Sequence, residues 1–350
     1  MAAKPHVIEG PYLRDVLDQP RTIRDTAIAL ETSNELNQFA QDLSPQKYQR
    51  IVLTGMGGSF HILNPLYLKL VELGFPVVMA ETSELIYFTP QLLNDRTLLV
   101  VVSQSGRSAE IVRLLLERNG ERPTILGVTN DVTSPLAEKS DILAVIKAGP
   151  EASVSCKTTT GSLAALAWIA DCISGTNLEH TKSDLDQAAL AVEKYLTHWR
   201  THVEALGKEL KNVHHLFVAG RGSSLAATGI GGMIMKEAAH FHSEGLGSAA
   251  LRHGPFEMLS KDCFVIVLAG DPHVELLHRG LVDDACKTGA KAVLVGTETE
   301  FPAFRLPAVR KELRPIIEMI PLQMVSLALA AIAGREAGKF ERIGKVTSSE

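Results

Sequence analysis

The chain has 350 residues, 45% of them hydrophobic but only 5% aromatic, with a formal net charge of −5 and a pI near 6.2. That length suits two domains with aliphatic cores, and the acidic balance argues against nucleic acid as a partner. Four scattered cysteines with no CxxC spacing argue against a disulfide framework or a zinc site, and MAAKPHVIEG lacks the apolar stretch of a signal peptide, so a cytoplasmic protein with reduced thiols is expected.

Residues 1–48 read as a mostly solvated helical segment. QRIVLTGMGG (49–58) predicts a buried strand that ends in a glycine turn. A helix over 61–74 stops at Gly74, and 75–81 and 97–102 are further strands. The next helix is predicted from Gly106 to Arg118, with Asn119-Gly120 as its stop and Ile111, Leu114 and Leu115 on its buried face. PTILGVTN (123–130) and SDILAVI (140–146) complete the strands of the first half. Strands alternating with helices predict an α/β fold, with a mainly parallel sheet covered on both faces in three αβα layers. Ile316–Ala333 is the longest apolar stretch, but Glu318, Pro321 and Gln323 interrupt it. It reads as a buried helix, and no membrane partner is expected.

The pattern then repeats. HHLFVAGRGSSLA (214–226) mirrors RIVLTGMGGSFHI (50–62), with Gly55 over Gly220, Gly57 over Gly222 and Ser59 over Ser224, an offset of 165 residues. The same offset lays Leu98–Val102 over Cys263–Val267, which argues for an internal duplication. The expected layout is a helical segment (1–48), a first domain (49–181), a connecting helix (182–208), a second domain (209–334) and a tail (335–350) that closes on the site.

In open parallel sheets, ligands bind beyond the C-terminal ends of the strands, where a helix start offers free N–H groups to an anion. After the strand at 97–102 stands Ser103-Gln104-Ser105-Gly106-Arg107-Ser108. Three hydroxyls can converge there on phosphate oxygens, and Gly106 lets the backbone come close. Serines of this kind also cap helices, but three of them with a glycine at a strand end favour a small phosphorylated ligand. No GxxxxGK[ST] is present, and GMGGS lacks the dinucleotide spacing. At the corresponding place the second half carries LAGD (268–271), where an acid would repel phosphate, so one anion site per chain is expected. In the second half, Glu237 interrupts a small, apolar helix and His253 precedes Gly254-Pro255 in a rigid turn suited to proton transfer. Taken singly, each also fits a surface carboxylate and a loop histidine. His240 and His242 lack a third ligand at metal spacing, and no metal site is predicted.

Together GGSFH (57–61), SQSGRS (103–108), GVTN (127–130), KE…HSE (236–244), LRHGP (251–255), PLQ (321–323) and KVT (345–347) resemble the tandem sugar-isomerase (SIS) domain family. The likeness is to the isomerase half of glucosamine-6-phosphate synthase and to its stand-alone deaminase and deglycase relatives. It implies two duplicated SIS domains. It also implies that Ser103, Gln104, Ser105 and Ser108 hold a sugar phosphate, with Ser59 and the Gly57-Gly58 backbone nearby. Val154 and Ser155 would line the sugar. Glu237 would move a proton between C1 and C2 of an open-chain ketose or aminosugar 6-phosphate. His253 would open the ring, reaching in from the second subunit of a homodimer whose apolar helices carry Gly231-Gly232. Lys345 would contact the carbonyl end. Such chemistry needs no metal or organic cofactor. Departures from the family are Ile234 where the synthase has a lysine, Ala249-Ala250 before the LRHGP segment, and the lack of an N-terminal cysteine, so no glutaminase activity is expected. The competing expectation is a non-catalytic sugar-phosphate-binding regulator.

Overall fold

The computed structural model describes residues 8–33, 35–36, 38–39, 47–116, 122–342, 344–347 and 349. The chain folds as two compact units, neither of them one continuous stretch. One comprises Arg21–Glu151, Lys157–Asp186 and Arg342–Glu350, and the other Met1–Pro20, Ala152–Cys156 and Gln187–Glu341.

The first-sheet unit holds β1 (Arg50–Gly55), β2 (Val77–Glu81), β3 (Thr97–Val102), β4 (Thr124–Thr129) and β5 (Ile142–Val145) in the order β2-β1-β3-β4-β5. All pairs are parallel. The six residues of β3, TLLVVV, are all buried, as a central parallel strand covered on both faces requires. Helix α1 (Ala109–Leu116) lays Ile111, Leu114 and Leu115 on a core with Val52, Leu99 and Val101. Helix α2 (Lys157–Ser174) is buried from Lys157 through Asp171.

α1 begins three residues later than the pattern predicts. Gly106 has φ 61°, a left-handed conformation that cannot open a right-handed helix, and the backbone N–H of Gly106 instead closes a turn on the Ser103 carbonyl at 3.2 Å. The predicted stop at Asn119-Gly120 lies outside the described residues. The predicted helix over 61–74 starts at Asn64, after a separate turn at Gly58–His61.

The second-sheet unit repeats four of these strands as β6 (His215–Gly220), β7 (Ser243–Gly247), β8 (Cys263–Leu268) and β9 (Lys291–Val295), again all parallel, in the order β7-β6-β8-β9. The duplication is therefore structural as well as sequential. Its register corrects the sequence alignment. Ile51 pairs with Leu98, whereas Leu216 pairs with Phe264. The equivalent of Leu98 is thus Phe264 rather than Cys263, because one extra residue lies between the paired strands of the second copy. The loop equivalent to SQSG becomes Ala269-Gly270-Asp271-Pro272, which puts Asp271 opposite Ser105.

Helix α3 (Leu225–Ala239) crosses β7 at backbone contact. A Cβ on Gly232 would stand 2.3 Å from the Gly245 nitrogen, and one on Gly245 would stand 2.1 Å from the Thr228 carbonyl oxygen. A Cβ on Gly231 would meet Leu322 at 2.8 Å. The glycine pair expected to serve a subunit interface is thus used inside the unit. The stretch expected as one connecting helix holds two, Leu178–Leu196 and Trp199–Glu209.

Helix α4 (Arg314–Ile332) is long and apolar enough to cross a membrane, but 89% of its most apolar window is buried inside the fold. It runs unbroken through Pro321. Two of its polar side chains are satisfied locally: the Gln323 and Gln19 amides exchange hydrogen bonds of 2.8 and 3.1 Å, and the Ser326 and Tyr12 hydroxyls lie 3.1 Å apart. These bonds hold the helix Pro11–Leu17 in this unit. The four cysteines are free thiols.

Candidate functional site

In the first-sheet unit, two loops leave the C-terminal ends of the adjacent strands β1 and β3. The first is Gly55-Met56-Gly57-Gly58-Ser59. A Cβ on Gly55 would lie 3.0 Å from both Ser59 backbone atoms and the Val102 oxygen, so glycine is required where the loop folds back on its own strand. The loop turns at Gly57, with φ 52°.

The second loop is held from several sides. The Ser103 side chain is 4% exposed, and its Oγ accepts the Gly106 N–H at 3.1 Å. The Ser105 Oγ accepts the Arg107 N–H at 3.2 Å, leaving its own proton to donate. The Gln104 carbonyl accepts from the Asn130 N–H and from the Thr129 hydroxyl. A Cβ on Gly106 would sit 2.2 Å from the Ser134 Oγ, so the loop is pressed on the start of the Pro135–Lys139 helix. Arg107 turns outward, donating to Asp131 at 2.9 Å and to the Thr133 carbonyl at 2.8 Å. Hydrogen bonds from the Thr133 hydroxyl and backbone, then from Arg107, hold the Asp131 carboxyl below its ordinary range. The Gln104, Ser105 and Ser108 side chains are half-buried. Among the described residues, the Ser59 and Ser108 hydroxyls and the Gln104 side-chain amide have no hydrogen-bond partner. A rigid backbone with uncommitted donors at a strand end is what an anion site needs.

Lys345 lies in the same unit. Its Nζ donates to the Glu151 carbonyl at 2.6 Å and to Glu151 Oε2 at 2.8 Å. Glu151, whose side chain is fully buried, also accepts the Thr158 hydroxyl at 2.6 Å and the Thr158 N–H at 3.1 Å. Sequence reasoning missed Glu151. The available signal was its position as the sole charge in AGPEASVSC, directly before a helix.

Four other expected site residues lie in the second-sheet unit. Glu237 is half-buried on α3. Loss of solvation raises its pKa above the usual glutamate value, while the neighbouring Lys236 opposes the shift. Ile234, one turn earlier, is 2% exposed. His253 ends the short helix Ser248–Arg252 and is exposed, and Gly254 beyond it turns the chain with φ 123°. Val154 is 1% exposed and Ser155 half-buried, in a segment tied down by the Ala152 N–H on Asp15 at 3.0 Å. The unit also carries a buried acid that the sequence placed only as an interruption of an apolar run. Glu318 Oε1 accepts the Ser224 hydroxyl at 2.9 Å, its other oxygen has no partner, and burial pushes its pKa up to about 7. Among the described residues, no cluster of three or more His, Cys, Asp or Glu side chains is arranged to hold a metal ion.

The SIS-domain family profile matches residues 42–170 and 209–333. The chain is 28% identical over 369 residues to the glutamine–fructose-6-phosphate aminotransferase of Thermococcus kodakarensis, covering all of this chain and 59% of that protein. It is 27% identical over 351 residues to that of Bacillus subtilis, covering 97% of this chain and 58% of that protein. It therefore spans less than two thirds of the relatives it matches. Among solved structures, the C-terminal domain of glucosamine-fructose-6-phosphate aminotransferase from Francisella tularensis superposes with a TM-score of 0.82 at 22% identity, covering 96% of this chain and all of that one. Tagatose-6-phosphate ketose/aldose isomerase from Escherichia coli gives 0.80 at 16% identity, covering 96% of each chain. Glucosamine-6-phosphate deaminase from Thermotoga maritima gives 0.78 at 18%, covering 96% of this chain and 99% of that one. With both halves matched by one profile and both sheets parallel and similarly ordered, this chain belongs to the SIS-domain family.

Proposed function

We propose that the chain is a sugar-phosphate enzyme that moves a proton between C1 and C2 of an open-chain ketose or aminosugar 6-phosphate. The observation that carries this reading is Glu237, a half-buried carboxylate whose pKa is raised by desolvation. Aldose–ketose exchange needs one base to remove a proton alpha to a carbonyl and return it at the neighbouring carbon. A carboxylate with a raised pKa can hold that proton in between.

The other groups divide the remaining work. The 6-phosphate would be held by Ser103, Gln104, Ser105 and Ser108, with Ser59 and the Gly57-Gly58 backbone. Val154 and Ser155 would line the sugar. His253 would exchange a proton with the ring oxygen, serving the second copy in a homodimer, and its exposure on a fixed turn supports that reading. Lys345 would face the carbonyl end. The similar proteins are named for isomerising aminotransfer, ketose/aldose isomerisation and deamination, each on a hexose or hexosamine 6-phosphate, which supports a substrate of that class here.

Glu237→Gln is expected to lower turnover by about 10²–10⁴ while leaving sugar-phosphate affinity within a few-fold. The acid limb of kcat/KM should have its midpoint above the ordinary glutamate value of 4.5. Unchanged turnover in Glu237→Gln would rule this mechanism out. A second reading, a non-catalytic sugar-phosphate sensor, is favoured by buried Ile234 standing where the synthase has a lysine. Thermal stabilisation by hexose 6-phosphates with no product on long incubation would select it.

A further inference from the structure

The tail of the first-sheet unit is fastened at two points two residues apart. At one, the Thr347 carbonyl accepts the Ala109 N–H at 3.0 Å. Ala109 is the first residue of α1, the helix that follows the serine loop. That N–H is one of the donors a helix start leaves unsatisfied, and the tail backbone takes it. At the other, Lys345 lies on Glu151. Two residues span at most about 7 Å, so the lysine is delivered close to the end of the helix that carries the loop.

Glu151 is built to hold this lysine. Its side chain is fully buried, which an ionised carboxylate tolerates only with strong partners. Those include the Thr158 hydroxyl and N–H, which fix the carboxylate on the first turn of α2. The Lys345 ammonium meets it from the other side and also reaches the Glu151 carbonyl. Two of the three N–H donors are thereby committed, and the third is unclaimed among the described residues. A long, flexible side chain is thus reduced to one direction by a group rooted in a buried helix.

We propose that Glu151 is a positioning residue: it orients Lys345 toward the substrate and, through it, latches the C-terminal tail onto the helix behind the phosphate loop. The catalytic half of this statement rests on the function proposed above; the latch does not. The same geometry explains why a lysine in a polar tail sits at a fixed place at all.

Amide hydrogen exchange of the full chain tests the latch without any substrate. Glu151→Gln and Lys345→Met are each expected to raise exchange at Ala109 at least tenfold, and the double variant to go no further. Lys345→Met leaves the Thr158 contacts in place, so it decides the matter even where Glu151→Gln folds poorly. Unchanged protection of Ala109 in Lys345→Met would overturn the latch. Turnover of fructose 6-phosphate, read as deuterium wash-in from solvent, tests the positioning role. Glu151→Gln should lower kcat tenfold or more in the wild-type background and have no effect in the Lys345→Met background. An equal loss in both backgrounds would mean that Glu151 acts on the fold and not through Lys345. If the wild-type protein washes deuterium into neither fructose 6-phosphate nor the aminosugar 6-phosphates, the functional reading fails, and the exchange at Ala109 still decides the latch.

Discussion

Ser105 and Asp271 occupy equivalent places in the two copies of one fold, and the loop proposed to hold the phosphate carries a hydroxyl where its counterpart carries an acid. In the first copy, Ser105 accepts the Arg107 N–H and keeps its own proton to offer, in a loop with no acidic side chain in its SQSGRS run. In the second, the carboxylate of Asp271 lies 3.8 Å from Arg314 and near the buried Glu318. Ser105→Asp should therefore weaken hexose 6-phosphate binding by about a hundredfold or more through like-charge repulsion, measured by calorimetry. Glu318 makes a separate claim at this scale. Its folded pKa, about 7, lies above the ordinary glutamate value of 4.5. Between those values the unfolded chain has lost the proton and the folded chain retains it, so stability falls as pH rises from about 4.5 to about 7 and then levels off. The size is on the order of 3 kcal/mol for so buried a group. Glu318→Gln should remove that slope and be the more stable protein at pH 8, as urea denaturation at several pH values would show. The apolar run around Glu318 was legible in the sequence, but its pairing with Ser224 joins residues far apart in the chain and needed the fold.

Close backbone approach sets the geometry of α3, the element that carries Glu237. Gly232 and Gly245 let helix and strand meet without intervening side chains. Gly232→Ala would press a Cβ against backbone that has no freedom to swing away, at a cost of about 1–3 kcal/mol in urea denaturation. Gly207, with no atom within 4 Å of its would-be Cβ, is the control: Gly207→Ala in the helix Trp199–Glu209 should be neutral or stabilising by up to about 1 kcal/mol. The glycines of IGGM were visible in the sequence, but whether they faced a partner subunit or their own sheet was not, because a small residue looks the same in either place. Strand periodicity identified β1, β3, β4, β6 and β8 because central parallel strands are continuously apolar. The register was less legible. One extra residue between β6 and β8 shifts the second copy relative to the first, and a constant offset cannot show it. The start of α1 was set by Gly106 in a left-handed turn, against a helical pattern that extended across it.

For the whole molecule, the duplication, the parallel sheets and the loop motifs were readable from the sequence because each is local and repeated. Glu151 was not, since a single acid in a loop acquires its meaning only when the tail returns to it from nearly 200 residues away. The assembly is an expectation of the same kind. His253 is exposed and its role as proposed needs a second copy, so light scattering should give a homodimer, and a stable monomer with full activity would remove the shared histidine from the mechanism. The most direct test of the central claim is a mass-spectrometric screen in deuterated water. The wild-type chain and Glu237→Gln would each be incubated with fructose 6-phosphate, with and without ammonia, with glucosamine 6-phosphate and with fructosamine 6-phosphates. The expected result is deuterium at C1 or C2 of at least one of these sugars with the wild-type chain and none with Glu237→Gln. No incorporation by the wild-type chain across the panel, or equal incorporation by both proteins, would contradict it.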